Sequence, residues 1–436
     1  MVGHVSHKNM FQDFLHSQVA GSLVLVVATA IALIWANSPW GEYYFELSHT
    51  YLGLQFGEWV FKLSLSHWIK DGLMAIFFFV VGLEIKRELV VGELSSREKA
   101  MLPVCAALGG AVAPAILYAV LNVGGDGISG WGIPMATDIA FALGVLSLFG
   151  SRVPIGLKVF LTALAIADDL LAVAVIAVFY TPDLSILPLI IAGICTILMV
   201  VANRVGIRAT WVYTVLALLV WVDVLGSGVH ATIAGVMVAM VIPVRPSIDP
   251  GELMDVSQRL LDQAHGKDNS LDALIHDSKR RTAVMQFLLT VEDAIPPAQA
   301  LEHRLHPVSA FLILPLFALF SAGVALSPEN LAGFPTGISL GVIVGLVLGK
   351  PIGVMLASWL AMTLAKVELK GVTAMQLLGA GCLSGIGFTM SIFISELAFT
   401  DVALIDQAKI GILAASFAAG VLGVIVLSYS LPKHAP

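Results

Sequence analysis

Residues 162–180 read TALAIADDLLAVAVIAVFY, a helix-length apolar run with two adjacent carboxylates, Asp168 and Asp169, at its centre. No other charge occurs from Val159 to Ala167 or from Leu170 to Pro182. A run of this kind matches the roughly 20 apolar residues that a helix needs to cross a bilayer core. A charged side chain at the middle of such a helix costs at least about 2.5–3.5 kcal/mol, which makes it a functional candidate by default. Neighbours on a helix point about 100° apart, so one carboxylate can line a cavity while the other faces a second helix. Two carboxylates close together at low dielectric resist carrying both charges at once. A hard cation, which prefers oxygen ligands, can take the place of the protons. The blander alternative is a pair that only caps or salt-bridges within a bundle.

The rest of the chain repeats the pattern of 162–180. Apolar residues make up 58% and charged residues 12%, and the mean hydropathy is +0.93. Soluble domains carry about a quarter charged residues. The blocks predict about twelve transmembrane helices, at 19–36, 66–90, 101–121, 131–149, 155–180, 186–203, 210–224, 228–243, 307–325, 337–361, 375–397 and 406–430. Only helices or closed barrels satisfy backbone groups in lipid, so the fold class is all-α and polytopic, a single membrane domain over 1–436. The seventh and eighth blocks are short enough to be one kinked span. The first block is expected to span, because the polar stretch before it lacks the basic start of a cleavable signal. A formal net charge of −7 gives no reason to expect nucleic acid. Cys105, Cys195 and Cys382 lie far apart inside apolar blocks and read as packing residues.

Basic residues orient the chain. With the N-terminus in the cytoplasm, the inner side collects Lys8, Lys86, Arg87, Arg97, Lys99, Arg152, Lys158, Arg204, Arg208, the basic residues of 245–304, Lys366, Lys370 and Lys433. The outer side receives only Lys62, Lys70 and Lys409. Both termini are therefore expected to be cytoplasmic. Two connections are long. The outward one, 37–67, contains YYFELSHTYLGLQFGEWVF (43–61), whose alternation suggests a small β-hairpin. The inward one, 245–306, is charged and predicts helices near 252–264 and 279–293, the second opening on the basic-then-apolar tract KRRTAVMQFLLT (279–290).

Two further ionisable residues stand out within spans. Asp138 sits in GIPMATDIAFALG (132–144), where Pro134 and the glycines break an ordinary helix just before Thr137 and Asp138. Unwound backbone at membrane depth is tolerated only where protein or a cavity surrounds it. Lys350 sits in GVIVGLVLGKPIG (341–353), next to glycines repeating every four residues, a stripe that lets another helix approach closely. A buried ammonium needs a carboxylate, and Asp168 or Asp169 is the natural one, with Asp168 favoured for Lys350 and Asp169 for an ion. A second break lies in GAGCLSGIGFTMSIFI (379–394). Breaks in the fourth and eleventh spans make spans three to five and ten to twelve corresponding triplets, the pattern of two inverted-topology repeats with interrupted, crossing helices and a midplane transport site.

At these residues the chain resembles the NhaA-type bacterial sodium/proton antiporters. The resemblance runs from about residue 11 to 431 and rests on FFFVVGLEIKRELVVGEL (77–94), PMATDIAFALG (134–144), ALAIADDLLAVAVIA (163–177), SGVHATIAGV (227–236), LEHRLHP (301–307), LGKPIGV (348–354) and GIGFTMSIFI (385–394). It implies a secondary active transporter, not an enzyme, without cofactor, that exports Na+ or Li+ and imports H+ across the bacterial inner membrane. Asp168 and Asp169 would bind the sodium ion or the protons. Asp138 with Thr137 would balance half-helix dipoles, and Lys350 would compensate charge at the second break. Exchange would be electrogenic and rise at alkaline pH, serving pH homeostasis. Glu84, Arg87, Glu88, Glu302, His303 and His306 would form a cytoplasmic pH-responsive cluster, with His230 a weaker member. The hairpin near 43–56 would join two protomers in a homodimer within the lipid. The loop before LEHRLHP is longer than is usual in that family. Patterning alone reaches only a cation- or proton-coupled transporter. An intramembrane aspartyl protease fits poorly, because the glycines at 385 and 387 are followed by Phe388 and not by an aspartate. A channel or a sodium-coupled symporter could also use broken helices.

Overall fold

A computed structural model describes residues 7–56, 59–181, 184–207, 209–246, 248, 250–264, 277–326, 333–365, 369 and 371–432. Arg208, Lys366, Lys370, Lys433, residues 57–58 of the hairpin tract and 265–276 of the long loop lie outside the described residues.

The described residues are almost entirely helical. In chain order the helices are α1 (His7–Ala36), α2 (Gly41–His49), α3 (Met74–Val90), α4 (Arg97–Leu121), α5 (Ile139–Ser147), α6 (Ile155–Phe179), α7 (Ile186–Arg204), α8 (Thr210–Gly226) and α9 (Thr232–Val241). They continue with α10 (Pro250–Ala264), α11 (Ser278–Asp293), α12 (Pro297–Val308), α13 (Leu314–Ser321), α14 (Gly337–Val344), α15 (Lys350–Ala365), α16 (Ala374–Ser384), α17 (Phe388–Ala398) and α18 (Val402–Ser430). Seven described helices are long and apolar enough to cross a membrane, and two bent pairs raise this to nine by length and composition. One pair joins a 3₁₀ stretch, Asp126–Met135, to α5 at 42°, and the other joins α16 to α17 at 46°. These are the two breaks expected at Pro134 and Gly385. Backbone at Ala136 and Asp138 is extended.

Close packing follows the glycines. An added Cβ on Gly353 would lie 2.1 Å from the Gly109 carbonyl oxygen, so α15 and α4 meet backbone to backbone. Gly235 likewise brings α9 onto Ala75 of α3. Such contacts let helices associate where no hydrophobic force separates helix from lipid. α4 also packs on α6, α16 on α18, and α1 on α5 and α13.

Three expectations shift. The alternation from Tyr43 suggested strand, but Gly41–His49 forms α2, because Tyr44 turns inward and its hydroxyl donates to the Leu319 carbonyl at 2.8 Å. The hairpin is β1 (Tyr51–Phe56) and β2 (Trp59–Ser64), pairing antiparallel with Tyr51 opposite Ser64. The span expected at 307–325 starts earlier, since Pro297–Ser321 is one helical run with a π-helical turn at Ser309–Ile313. The span at 337–361 carries another π-helical turn, Gly345–Gly349, directly before Lys350. The seventh and eighth blocks are two helices, α8 and α9, and the inward loop holds α10 and α11 packed together.

Candidate functional site

The two breaks meet each other in the interior. The Asp138 amide donates to the Ile386 carbonyl at 2.7 Å, and the Thr137 hydroxyl donates to the Ser384 carbonyl at 2.8 Å. In return, the Ser391 hydroxyl donates to the Ile133 carbonyl at 2.8 Å, and the Thr389 amide donates to Asp138 Oδ2 at 3.1 Å. Each interruption thus satisfies backbone groups that the other exposes, as hydrocarbon requires.

Asp138 caps both second halves. Its Oδ1 accepts from the Phe141 amide of α5 at 3.2 Å, while its Oδ2 accepts from the amide and hydroxyl of Thr389 in α17. A carboxylate at a helix N-terminus meets unsatisfied N–H groups and the positive end of the macrodipole. One side chain serves two helix starts here.

Lys350 serves the opposite polarity. It is fully buried, and its Nζ donates to the carbonyl of Met135, the last residue of the 3₁₀ half, where the macrodipole is negative. The same ammonium pairs with Asp168 Oδ2 at 2.7 Å. The π-helical turn at Gly345–Gly349 aims it: the Lys350 amide bonds to the Gly345 carbonyl five residues back, which offsets the side chain from a regular helix.

α6 presents the carboxylate pair. Asp168 Oδ2 also lies 2.6 Å from the Thr137 hydroxyl, whose single proton it shares with the Ser384 carbonyl, whereas Asp168 Oδ1 is buried without a hydrogen-bond donor among the described residues. Asp169, one residue on, turns elsewhere. No hydrogen bond or ion pair holds its carboxylate among the described residues, and it is almost fully buried. It lies within electrostatic reach of Asp168, Glu84, Asp138 and Lys350.

Glu84, Arg87 and Glu88 share one face of α3 and meet α12. Arg87 Nη1 pairs with Glu88 Oε1 at 2.6 Å and Nε with Glu302 Oε2 at 3.0 Å. Glu84 lies within reach of the charges of Glu302, Arg87 and Glu88, and also of Asp169, so it links the cluster to the carboxylate pair. His306 faces Glu302 and His303. His230 is not part of this group. It stands at the far end of α3, with Nε2 3.3 Å from Asp71 Oδ1, Nδ1 2.8 Å from the Thr232 hydroxyl, and its ring on Phe393 at 5.0 Å.

Sequence reasoning missed Thr389, Ser384, Asp71 and Glu396. Thr389 and Ser384 gave no signal, since hydroxyls are common in apolar spans. Glu396 did: it is a lone carboxylate in SIFISELAF, and the cost of a charge at membrane depth applies to it as to Asp168.

A profile of the family described as Na+/H+ antiporter 1 matches residues 12–427. The chain is 46% identical over 425 residues to a protein of Sulfurimonas denitrificans named Na(+)/H(+) antiporter NhaA, covering 96% of this chain and 95% of that one. It is 47% identical over 427 residues to the Na(+)/H(+) antiporter NhaA of Acidithiobacillus ferrooxidans, covering 96% of each. It is also 47% identical over 420 residues to the Na(+)/H(+) antiporter NhaA 1 of Saccharophagus degradans, covering 96% of this chain and 90% of that one. Matched by the family model along nearly its whole length and close to half identical to these relatives, the chain belongs to the NhaA family of Na+/H+ antiporters.

Proposed function

We propose that the chain exports Na+ or Li+ in exchange for imported H+ by alternating access, with cation and protons competing for Asp168 and Asp169. One observation carries this reading: an ammonium holds one oxygen of Asp168, while the other oxygen and the neighbouring Asp169 carboxylate have no donor among the described residues. These are acceptor oxygens of the kind a hard cation binds. A cation entering there displaces protons to the solvent, because its ligands must be deprotonated. Thr137 fixes Asp168, and Asp138 and Lys350 hold the half-helix ends that frame the site. Two titratable carboxylates against one monovalent ion permit more than one proton per ion, hence net charge movement.

Glu84, Arg87, Glu88, Glu302, His303 and His306 form the cytoplasmic group through which pH sets activity, with the termini on that side of the inner membrane. Residues 65–90, α8 and α9, added to the nine spans above, give twelve helices. α4 to α6 and α14 to α18 are read as inverted-topology repeats, since each triplet has its break in the middle member. The hairpin β1–β2 is the contact of a homodimer embedded in lipid.

The test uses everted membrane vesicles with a preformed pH gradient. Added Na+ or Li+ should collapse the gradient in the wild type. A chain that conducts Na+ without moving protons, or takes up an organic solute with it, would not be an antiporter.

A further inference from the structure

Glu396 ends the half-helix that begins at the crossing. It lies seven residues after Thr389 on α17, about 10 Å along the axis and on nearly the same face. Its carboxylate is buried between two lysines: Oε2 is 2.9 Å from Lys70 Nζ, and Oε1 is 2.9 Å from Lys409 Nζ. The Ser321 hydroxyl donates to Oε2 at 3.4 Å. One side chain therefore ties α17 to the π-helical turn Trp68–Leu73 ahead of α3, to the start of α18 and to the end of α13.

A layer of rings lies between this bridge and the crossing. Phe393, one turn nearer the break, packs against Phe78 at 5.7 Å, Phe317 at 6.0 Å and His230 at 5.0 Å. The Asp71–His230 contact adds a second tie between the Lys70 segment and the residues just before α9. The far end of α17 is thus fastened to its neighbours on the other side of the ring layer from the crossing.

The fastening is not chosen for stability alone. A buried ion pair returns little net stability over apolar packing of the same volume, so its presence asks for another reason. Asp71 lies within reach of the Lys70 charge. Asp406 lies three residues before Lys409 on α18, within reach of its charge. Lys409 therefore has a second carboxylate on its own helix to turn to when Glu396 withdraws.

We propose that the Lys70–Glu396–Lys409 bridge is the clamp that closes the ion site on the Lys70 side, and that it opens once in each transport cycle. The proposal rests on the alternating-access reading above. Glu396 acts through α17 and does not ligate the ion.

Two measurements on the full chain in proteoliposomes test it. Glu396→Gln weakens the clamp and shifts the population toward the state open on the Lys70 side. The apparent KM for Na+ presented from that side should fall about threefold to tenfold, while the KM from the opposite side rises. Equal shifts on both sides, or none, would overturn the clamp. In a background with Cys105, Cys195 and Cys382 replaced by serine, Lys70→Cys with Glu396→Cys is then bridged by a short bis-methanethiosulfonate reagent. Bridged protein should lose at least about nine-tenths of exchange and regain it on reduction, because a fastened end holds the site in one state. Unchanged exchange after bridging would overturn the proposal. So would a reduced double variant that cannot exchange, since removing a barrier leaves transport possible. If the wild type itself moves no protons against Na+, the antiporter reading fails instead.

Discussion

Thr389 lies 251 residues after Asp138, yet its backbone amide and its hydroxyl both donate to the same oxygen of that carboxylate. The other oxygen caps α5. A single side chain is therefore shared by the starts of two half-helices from opposite ends of the sequence.

Asp138→Ala removes both caps at once. Each cap contributes about 1 kcal/mol, so the variant should unfold at lower temperature and bind Na+ more weakly. Asp138→Asn keeps an acceptor but no charge and should fall between. Thermal unfolding in detergent with and without Na+ reads both effects. An Ala variant as stable as the wild type would mean that the shared cap is idle.

Asp168 and Asp169 should separate stability from transport. Lys350→Met strands a buried Asp168 charge and should destabilise by about 3–5 kcal/mol. Combining it with Asp168→Asn should restore much of that loss, a non-additivity expected of a contacting pair. Asp169→Asn should abolish exchange while leaving the unfolding temperature near the wild-type value, since no hydrogen bond among the described residues is lost. Exchange by Asp169→Asn at the wild-type rate would remove the competition mechanism.

The pH dependence follows from mass action. Where the carboxylates are protonated, each competing proton should raise the apparent KM for Na+ about tenfold per unit fall in pH. Two competing protons give a slope near two on a logarithmic plot. The slope in proteoliposomes counts them, and a KM indifferent to pH would exclude competition. Glu302→Gln, which removes the charge paired with Arg87, should displace the profile without changing this slope.

Gly353→Ala should destabilise by about 1–3 kcal/mol through overpacking. Its methyl would fall 2.1 Å from the Gly109 carbonyl oxygen, and backbone cannot yield as a flexible side chain does. The same change at Gly193, where an added Cβ meets nothing within 4 Å, serves as the control. Equal unfolding temperatures for the two variants would contradict the contact.

Excising the hairpin strands, Tyr51–Phe56 and Trp59–Ser64, should yield monomers that still exchange. Light scattering in detergent reports the mass, and a persisting dimer would place the contact elsewhere.

Much of this arrangement is legible in the residues themselves. Helix-length apolar blocks give the nine spans found among the described residues when each bent pair is one, Pro134 and the glycines at 385 and 387 give the breaks, and the cost of burying charge picks out Asp168, Asp169, Asp138 and Lys350. The details that escape depend on contacts between distant segments. The π-helical turn before Lys350 has no local signature, because Gly345–Gly349 reads as ordinary apolar helix. Tyr43–His49 alternates like a strand but is captured as helix by the burial of Tyr44. Glu396 carries the signal of a charge within a predicted span, but its two lysine partners come from distant segments that no local pattern joins to it.

The crossing also bears on how the chain is made. Thr137, Asp138 and Asp168 leave the ribosome long before Ser384, Ile386, Thr389 and Lys350, which supply their hydrogen bonds and counter-charge. During synthesis the first half therefore enters the lipid with exposed carbonyls and uncompensated carboxylates, a costly condition there. The two halves lock only when the last quarter arrives, so the centre of the molecule is the latest part to mature.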